Sequence, residues 1–315
     1  NIDHLPTVPQ NDPVSYLSTL YSHPEWLVGE LLTVLGGEET ARLLAANNGP
    51  APITAMVNIA KTTMEELSAA LEEEGVQAQP HPWLANCLIL SKTGSLERLS
   101  TFRDGLFYIQ DPASRLAVLA LDPKPGMKAL DCCAAPGGKS FAAAIRMEGT
   151  GEVISCDLHP HKKKLIQAGA DRLGLKNMTP MTADGKAFRP EWENVFDRVL
   201  VDAPCSGLGV IRKKPDIRYK DPEPLTDLPR VQRAILDNAA RYVKPGGVLV
   251  YSTCTLLRRE NEEVALGFLS DHPAFQAEGF PLPQYAGDAR TGMLTLWPHR
   301  QGTDGFFICK LRKEE

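Results

Sequence analysis

From Asp111 onward, short apolar runs alternate with longer helix-forming stretches in a repeated strand–helix rhythm. The runs predict strands over Met127–Asp131, Glu152–Asp157, Met178–Asp184, Phe196–Asp202 and Val248–Cys254, and a closing strand over Gly305–Arg312. Helices are expected to begin near Gly137, His161 and Asp227. Strands that alternate with helices specify an α/β fold with a mostly parallel, doubly wound sheet. Four of the first five strands end in aspartate and the fifth ends in cysteine. Ligands of such sheets bind outside the carboxyl ends of the strands, so the chemistry is expected along that edge.

The first third follows another pattern. Residues 1–14 are polar and proline-punctuated, which predicts a linker or arm. Ser22-His-Pro-Glu25 reads as a helix cap with its capping box, followed by Leu27, Leu31, Val34 and Leu35 at helical spacing. Gly36-Gly37 stops that helix, and Glu38 to Asn47 forms another. After the break at Asn48–Pro52, Ile53–Ala60 predicts a strand, Thr63 caps a helix from Met64 to Glu74, and Cys87–Ser91 predicts a second strand. This β-α-β order marks a small α+β module of RRM-like, RNA-binding type, although its strands carry no pair of stacking aromatics. The expected division is residues 1–48 for linker and helices, 49–110 for the α+β module and 111–315 for the catalytic domain.

Composition narrows the class. A hydrophobic content of 43% and a charged content of 23% are those of a globular protein with an ample core. A net charge of -5 excludes a chain that is basic throughout, but not a local basic surface. Seven cysteines, with no C-x-x-C pair and no metal-ligand spacing, point to a reducing cytoplasm, with neither a disulfide framework nor a bound metal. No signal-peptide pattern opens the chain, and no apolar run approaches the ~18 residues of a membrane helix. A monomer without membrane contact is expected, and the start at Asn1 is expected of a mature or trimmed product.

The chemistry concentrates in three places. Met127 to Ser140 reads as a buried strand, a small-residue turn and a helix N-terminus, a place for a charged small molecule. Asp157, nineteen residues after Gly138, stands where nucleotide-type folds place an acid against ribose hydroxyls, and Asp184 ends the next strand. One such aspartate is more often a turn cap; three in register at one edge, with Asp202, reverse that preference. The turn is not G-x-G-x-x-G, so a nicotinamide cofactor is not favoured.

Second, Cys205 follows the fourth strand and Cys254 ends the fifth, so neighbouring strand ends should bring both thiols into one crevice. A thiolate is a strong nucleophile near neutral pH. Position alone leaves these two evenly divided between packing and chemistry. Cys87, Cys156 and Cys309 read as core residues, and Cys132 and Cys133 as packing or backbone donors in the turn. Third, Arg212-Lys-Lys-Pro-Asp-Ile-Arg-Tyr-Lys220 carries five cations in nine residues beside the crevice. Such a run is usually a solvated face; here Arg212, Lys213, Lys214 and Arg218 could guide a polyanion toward the thiols. Lys162–Lys164 reads as an exposed helix start.

Cys133-Ala-Ala-Pro-Gly-Gly-Lys139, Asp202-Ala-Pro-Cys-Ser-Gly207, Pro215-Asp-Ile217, Tyr251-Ser-Thr-Cys254 and Glu260-Asn-Glu262 together resemble the Sun/Nop family of RNA cytosine-C5 methyltransferases, with the bacterial Sun (type B) small-subunit rRNA enzymes as the nearest likeness. The resemblance covers residues 15–315. It implies a Rossmann-like methyltransferase sheet whose last strand is antiparallel. It implies S-adenosylmethionine as donor and S-adenosylhomocysteine as product, held by Cys133, Ala134, Ala135, Pro136, Gly137, Gly138, Lys139, Asp157, Asp184 and Asp202. It implies Cys254 as nucleophile, Cys205 as the thiol that helps release product, and ribosomal RNA as partner. Bacterial Sun enzymes also carry a NusB-like helical domain, and none is expected within residues 1–315.

The mechanism is intelligible from the groups themselves. Addition of the Cys254 thiolate at carbon 6 of cytosine turns the ring into an enamine whose carbon 5 can take a sulfonium methyl. Asp202, near N3, could stabilise or supply the proton this requires. The base must be single-stranded or flipped. The competing readings are a tRNA or DNA cytosine methyltransferase, the latter using the Pro-Cys thiol, and a non-catalytic RNA-binding assembly factor. A binding module needs neither the cysteines nor the strand-end acids.

Overall fold

Asp12 accepts hydrogen bonds from the Val14 and Ser15 amides, and Pro13 presets the first turn, so α1 (Pro13–Tyr21) begins inside the expected linker. The computed structural model describes residues 11–315, and the rest of that linker lies outside them. Ser22 does not cap the next helix. It ends α1 in the left-handed conformation (φ 55°), and α2 (Glu25–Leu35) starts behind Pro24 without a side-chain cap. With α3 (Gly37–Asn47), these helices bury Leu17, Leu27, Val28, Leu31, Leu43 and Leu44 against Leu208, Ile211, Leu256, Leu257 and Trp297. The N-terminal helices therefore brace the backs of the two loops that follow the cysteines.

The next module comprises β1 (Ile53–Val57), α4 (Met64–Glu73), β2 (Gln77–Pro80), β3 (Cys87–Ser91), α5 (Ser100–Arg103) and β4 (Phe107–Ile109), with an antiparallel sheet in the order β2-β3-β1-β4. Thr63 and Glu66 form the expected reciprocal capping box on α4. The sequence pattern missed β2, which is short and polar, and β4, which is three residues long.

The catalytic domain runs through α6 (Pro112–Leu121), β5 (Lys128–Asp131), α7 (Gly138–Arg146), β6 (Glu152–Asp157), α8 (Pro160–Leu173), β7 (Met178–Thr182), β8 (Phe196–Asp202), α9 (Leu228–Ala240), β9 (Val243–Thr253), α10 (Glu262–Asp271), β10 (Phe275–Ala277), β11 (Met293–Leu296), α11 (Pro298–Gln301) and β12 (Phe306–Lys313). The sheet order is β10-β12-β9-β8-β5-β6-β7, with β11 added on β12. Strands β5 to β9 pair in parallel, and β12 lies antiparallel to β9, as expected. The order reverses between β5 and β8, the crevice where such sheets take their ligands. The core under that crevice includes Leu130, Val199, Val201, Leu249, Tyr251 and Phe307. Cys87, Cys156 and Cys309 are buried in apolar surroundings, which pushes each thiol up to about 12.

The small module is tied to the catalytic domain at the end of α8. The Asn58 amide donates to the carbonyls of Gly105 and Leu173, Lys61 donates to those of Asp104 and Arg172, and Arg172 donates to those of Phe102 and Phe107. Among the described residues no helix is long and apolar enough to cross a membrane.

Candidate active site

Two cavities open at the carboxyl edge, one on each side of the Cys133–Pro136 turn. The first, about 350 Å³, is lined by Cys133, Ala135, Asp157, Asp184, Asp202, Cys205 and Cys254. Asp157 ends β6 and is buried; its Oδ1 accepts from the His159 amide at 3.1 Å. Asp184 lies two residues beyond β7, and its Oδ1 accepts from the Lys186 amide at 2.9 Å. Each carboxylate thus spends one oxygen on its own turn and keeps the other, so capping the turn does not exhaust it. The turn itself demands glycine: Gly137 has φ +114°, and a Cβ there would run into the Phe141 ring.

The glycine-turn motif does not serve one cavity alone. Ala134, Pro136, Gly138 and Lys139 line the second cavity, about 270 Å³, with Asp202 again on its wall. Lys139 Nζ donates to Asp202 Oδ2 at 2.8 Å and to Ser114 Oγ at 3.3 Å, and stands 5.1 Å from the centre of the Phe306 ring. Ser252 Oγ donates to the other Asp202 oxygen at 2.8 Å, so the carboxylate is held by the strand beside it.

The parallel pairing of β8 with β9 brings the thiols together, with Cys205 and Cys254 Sγ 3.2 Å apart. The hydrogen bond from Cys205 holds the Cys254 thiol below its ordinary value against the effect of burial, and Lys139 assists. Cys205 is pushed well above its ordinary value by the same bond and by burial. The contact therefore favours the thiolate at Cys254 over Cys205.

Glu260-Asn-Glu262 has no evident task in the sequence beyond its place in the motif set, and Gln232 carries no signal there. Buried Glu260 accepts from the Ser206 amide at 2.9 Å and from Gln232 Nε2 at 2.8 Å, while Gln232 also donates to the Pro204 carbonyl. Asn261 accepts from Thr253 and donates to the Thr255 carbonyl. These side chains fix the backbone on both sides of the two thiols. No periodicity marks such a clamp; the motif's place just after Cys254 was the available signal.

The basic segment is mostly spent on the fold. Arg212 donates to the carbonyls of Gly302 and Thr303, and buried Arg218 donates to the Ser22 carbonyl and to Asn48. Lys213 bridges Asp111 at 2.7 Å and Asp304 at 2.8 Å. Lys214 and the Tyr219 ring are exposed. Burial and the Asp111 charge push the Asp304 carboxyl up to about 6 against the pull of Lys213. Among the described residues no cluster of histidine, cysteine, aspartate and glutamate is arranged to hold a metal.

A ligand cavity at the reversal of a parallel sheet, an antiparallel last strand and a paired thiol site define a Rossmann-like methyltransferase. Residues 118–312 match the family described as 16S rRNA methyltransferase RsmB/F, and residues 23–97 match the ferredoxin-like domain of RsmF/B-like methyltransferases. The chain belongs to the RsmB/F methyltransferase family. Its N-terminal module is accordingly ferredoxin-like rather than NusB-like, and that match begins within the helices before β1.

It is 44% identical over 309 residues to the probable ribosomal RNA small subunit methyltransferase B of Bacillus subtilis, covering 96% of this chain and 69% of that protein. It is 35% identical over 283 residues to the ribosomal RNA small subunit methyltransferase F of Klebsiella pneumoniae, covering 86% of this chain and 59% of that one. The crystal structure of PH0851 superposes with a TM-score of 0.91 at 33% identity, over 99% of this chain and 70% of that one. A methyltransferase homologue from Pyrococcus horikoshii superposes with a TM-score of 0.82 at 27% identity, over 95% and 98% of the two chains.

Proposed function

We propose that this protein methylates carbon 5 of a cytosine in small-subunit ribosomal RNA through a covalent adduct between Cys254 and carbon 6. The observation that carries this reading is the ionisable Cys254 thiol, 3.2 Å from Cys205, on the wall of a cavity that also contains Asp157 and Asp184. The residues of that cavity fit S-adenosylmethionine: two carboxylates with free oxygens for ribose hydroxyls and an amine, and an apolar wall from Val231 and Ile235 for a flat base. When bound, S-adenosylmethionine supplies the methyl group as a sulfonium, which the activated carbon 5 takes.

The chain's own groups do the rest. Cys254 adds to carbon 6 and makes carbon 5 electron-rich. Asp202 lines both cavities and its partner Lys139 lines the second, where the pair can orient the pyrimidine and balance the charge that gathers on its N3 side. After transfer, carbon 5 gives up its proton to solvent and the bond between carbon 6 and the Cys254 sulfur breaks, returning the thiolate. The adjacent Cys205 thiol assists release by hydrogen-bonding to that departing sulfur. The ribosomal substrate is inferred from the relatives, which are named as small-subunit rRNA methyltransferases.

The test is direct. Unmodified 16S rRNA, naked and as partly assembled particles, and unmodified tRNA are each incubated with the protein and methyl-labelled donor, and the label is located by digestion and bisulfite mapping. Label in a single cytosine is expected. Binding of RNA without label in any assembly state favours the non-catalytic assembly-factor reading; label in tRNA alone reassigns the substrate.

A further inference from the structure

The second cavity contains polar groups for which the fold has no use. Gln110 and Asp304 both line it, with exposures of only 7% and 6%, and each keeps one unpaired acceptor among the described residues, Gln110 Oε1 and Asp304 Oδ1. Buried polar atoms are normally paired, so two orphans in one cavity mark a place for a ligand that brings donors.

The backbone is held still at both residues, and the Asp304 carboxylate is held as well. The Gln110 amide donates to the Thr54 carbonyl, and Thr54 Oγ1 donates back to the Gln110 carbonyl at 2.7 Å, which anchors Gln110 at the end of β4. Asp304 receives Lys213 on Oδ2 at 2.8 Å, its own amide donates to Asp111 Oδ1 at 3.1 Å, and the next residue, Gly305, donates to the Gly209 carbonyl at 2.8 Å. A Cβ on Gly209 would collide with that same Gly305 carbonyl, so the loop after Cys205 and the start of β12 are seated directly on each other. The Lys213 bond thus orients the Asp304 carboxylate on the cavity wall before a ligand arrives.

Lys139 and Asp202 stand on the same wall, so whatever enters meets the catalytic pair at once. We propose that Gln110 and Asp304 are specificity-determining residues that accept hydrogen bonds from donor groups of the target nucleoside. This rests on the cytosine-methylation reading above. A cytidine offers two such donors, the exocyclic amine and the ribose 2′-hydroxyl. Uracil presents a carbonyl in place of the amine, and deoxycytidine lacks the hydroxyl; either would leave a buried acceptor unpaired, the arrangement that discriminates most strongly between close analogues. Neither residue belongs to the thiol or donor-pocket motifs, and each arrives from a different part of the chain: Gln110 from the ferredoxin-like module, Asp304 from the last loop.

The experiment uses the full chain carrying Cys254→Ala, so that binding is read without covalent trapping. A synthetic hairpin centred on the mapped cytosine is prepared in three forms: with cytidine, with zebularine (which lacks the amine) and with 2′-deoxycytidine. The cytidine hairpin is expected to bind at least tenfold tighter than one of the other two, and the weaker analogue identifies the donor group. In Asp304→Asn, which replaces an acceptor by a donor, or in Gln110→Met, which keeps the volume, that preference should fall below threefold. Donor affinity measured by calorimetry reports whether each variant is folded. Equal binding of the three hairpins, or a preference that survives in both variants, overturns the proposal. Failure of the underlying reading is distinguishable, because the unmutated protein would then form no adduct with 5-fluorocytosine RNA.

Discussion

Cys205 and Cys254 are 49 residues apart in sequence, yet their Sγ atoms lie 3.2 Å from each other. The pairing of β8 with β9 produces this proximity, and the clamp around Glu260 and Asn261 preserves it. The contact also divides the labour, because two adjacent thiols cannot ionise equally. Charge is favoured at Cys254, whose thiol is held below its ordinary value, and disfavoured at Cys205, whose thiol is pushed up. Cys254→Ala is therefore expected to abolish covalent trapping on 5-fluorocytosine RNA. Cys205→Ala is expected to leave an enzyme–RNA adduct that persists on denaturing gels. The reverse outcome would exchange the two roles.

Asp157 makes a second prediction separable from the thiols. One oxygen caps the turn before α8, and the other is free for a ribose. Hydrogen bonds to a charged acceptor contribute about 1.5–3 kcal/mol each, so Asp157→Ala should weaken S-adenosylmethionine binding roughly 10- to 100-fold. Asp157→Asn retains an acceptor for the turn and should recover thermal stability more than donor affinity. Calorimetric titration with a melting curve for each variant separates the two; an unchanged dissociation constant in both would remove Asp157 from the donor site.

The parallel strands of the large sheet were legible because they are apolar and mostly end in aspartate, whereas its edge strands β10 and β11 were not, and β9 begins at Val243 rather than Val248. Glu152–Asp157 and Phe196–Asp202 occupy the residues that the pattern predicts. Short elements were not legible. Strand β4 has three residues, and Gln77–Pro80 in β2 is mostly exposed, so neither carries a periodic signal. Ser22 illustrates a local rule overruled by context, since its carbonyl accepts from Arg218 and Tyr219, nearly two hundred residues away. The same contact explains why the basic segment reads as a nucleic-acid surface in sequence but serves largely as a brace in the fold. Opposite charges from distant loops, such as Asp111 and Asp304 on Lys213, leave no trace in the local pattern. The Cys205–Cys254 pair was legible through its motifs, whereas the Gln232–Glu260 bond that steadies it depends on packing between a helix and a loop.

The junction between the two modules rests on a glycine. Gly105 has φ +70°, and a Cβ there would collide with the Arg172 carbonyl at the end of α8. Gly105→Ala combines a left-handed backbone penalty with a clash against backbone and should cost about 2–4 kcal/mol. Gly126 provides the control: its φ is +80°, but nothing lies within 4 Å of an added Cβ, so Gly126→Ala carries the backbone penalty alone. Denaturant unfolding of the two variants should place Gly105→Ala clearly below Gly126→Ala; equal losses would mean that the close approach at Arg172 contributes nothing to docking.

His23 makes the helical brace sensitive to acid. Its Nδ1 donates to the Tyr21 carbonyl at 2.8 Å, and its Nε2 accepts from the Asn47 amide at 3.3 Å, an arrangement only the neutral ring can make. Burial first, and the nearby Arg218 charge second, lower its pKa to about 4 from the ordinary 6.5. A rotated Asn47 amide could accept from a protonated ring, but the burial and the Arg218 charge would remain. Because the folded value lies below the unfolded one, the unfolded chain takes up the proton first as pH falls. Stability from the neutral ring is therefore complete above pH 6.5 and is lost progressively between about 6.5 and 4, by at most about 3 kcal/mol. His23→Gln can keep both hydrogen bonds without titrating, so its stability should vary less over that window. Urea midpoints at pH 7.5, 5.5 and 4.5 measure the difference between the two proteins, in which the shared carboxylate titrations cancel. Parallel pH dependences would show that the acid sensitivity of the fold lies elsewhere than in His23.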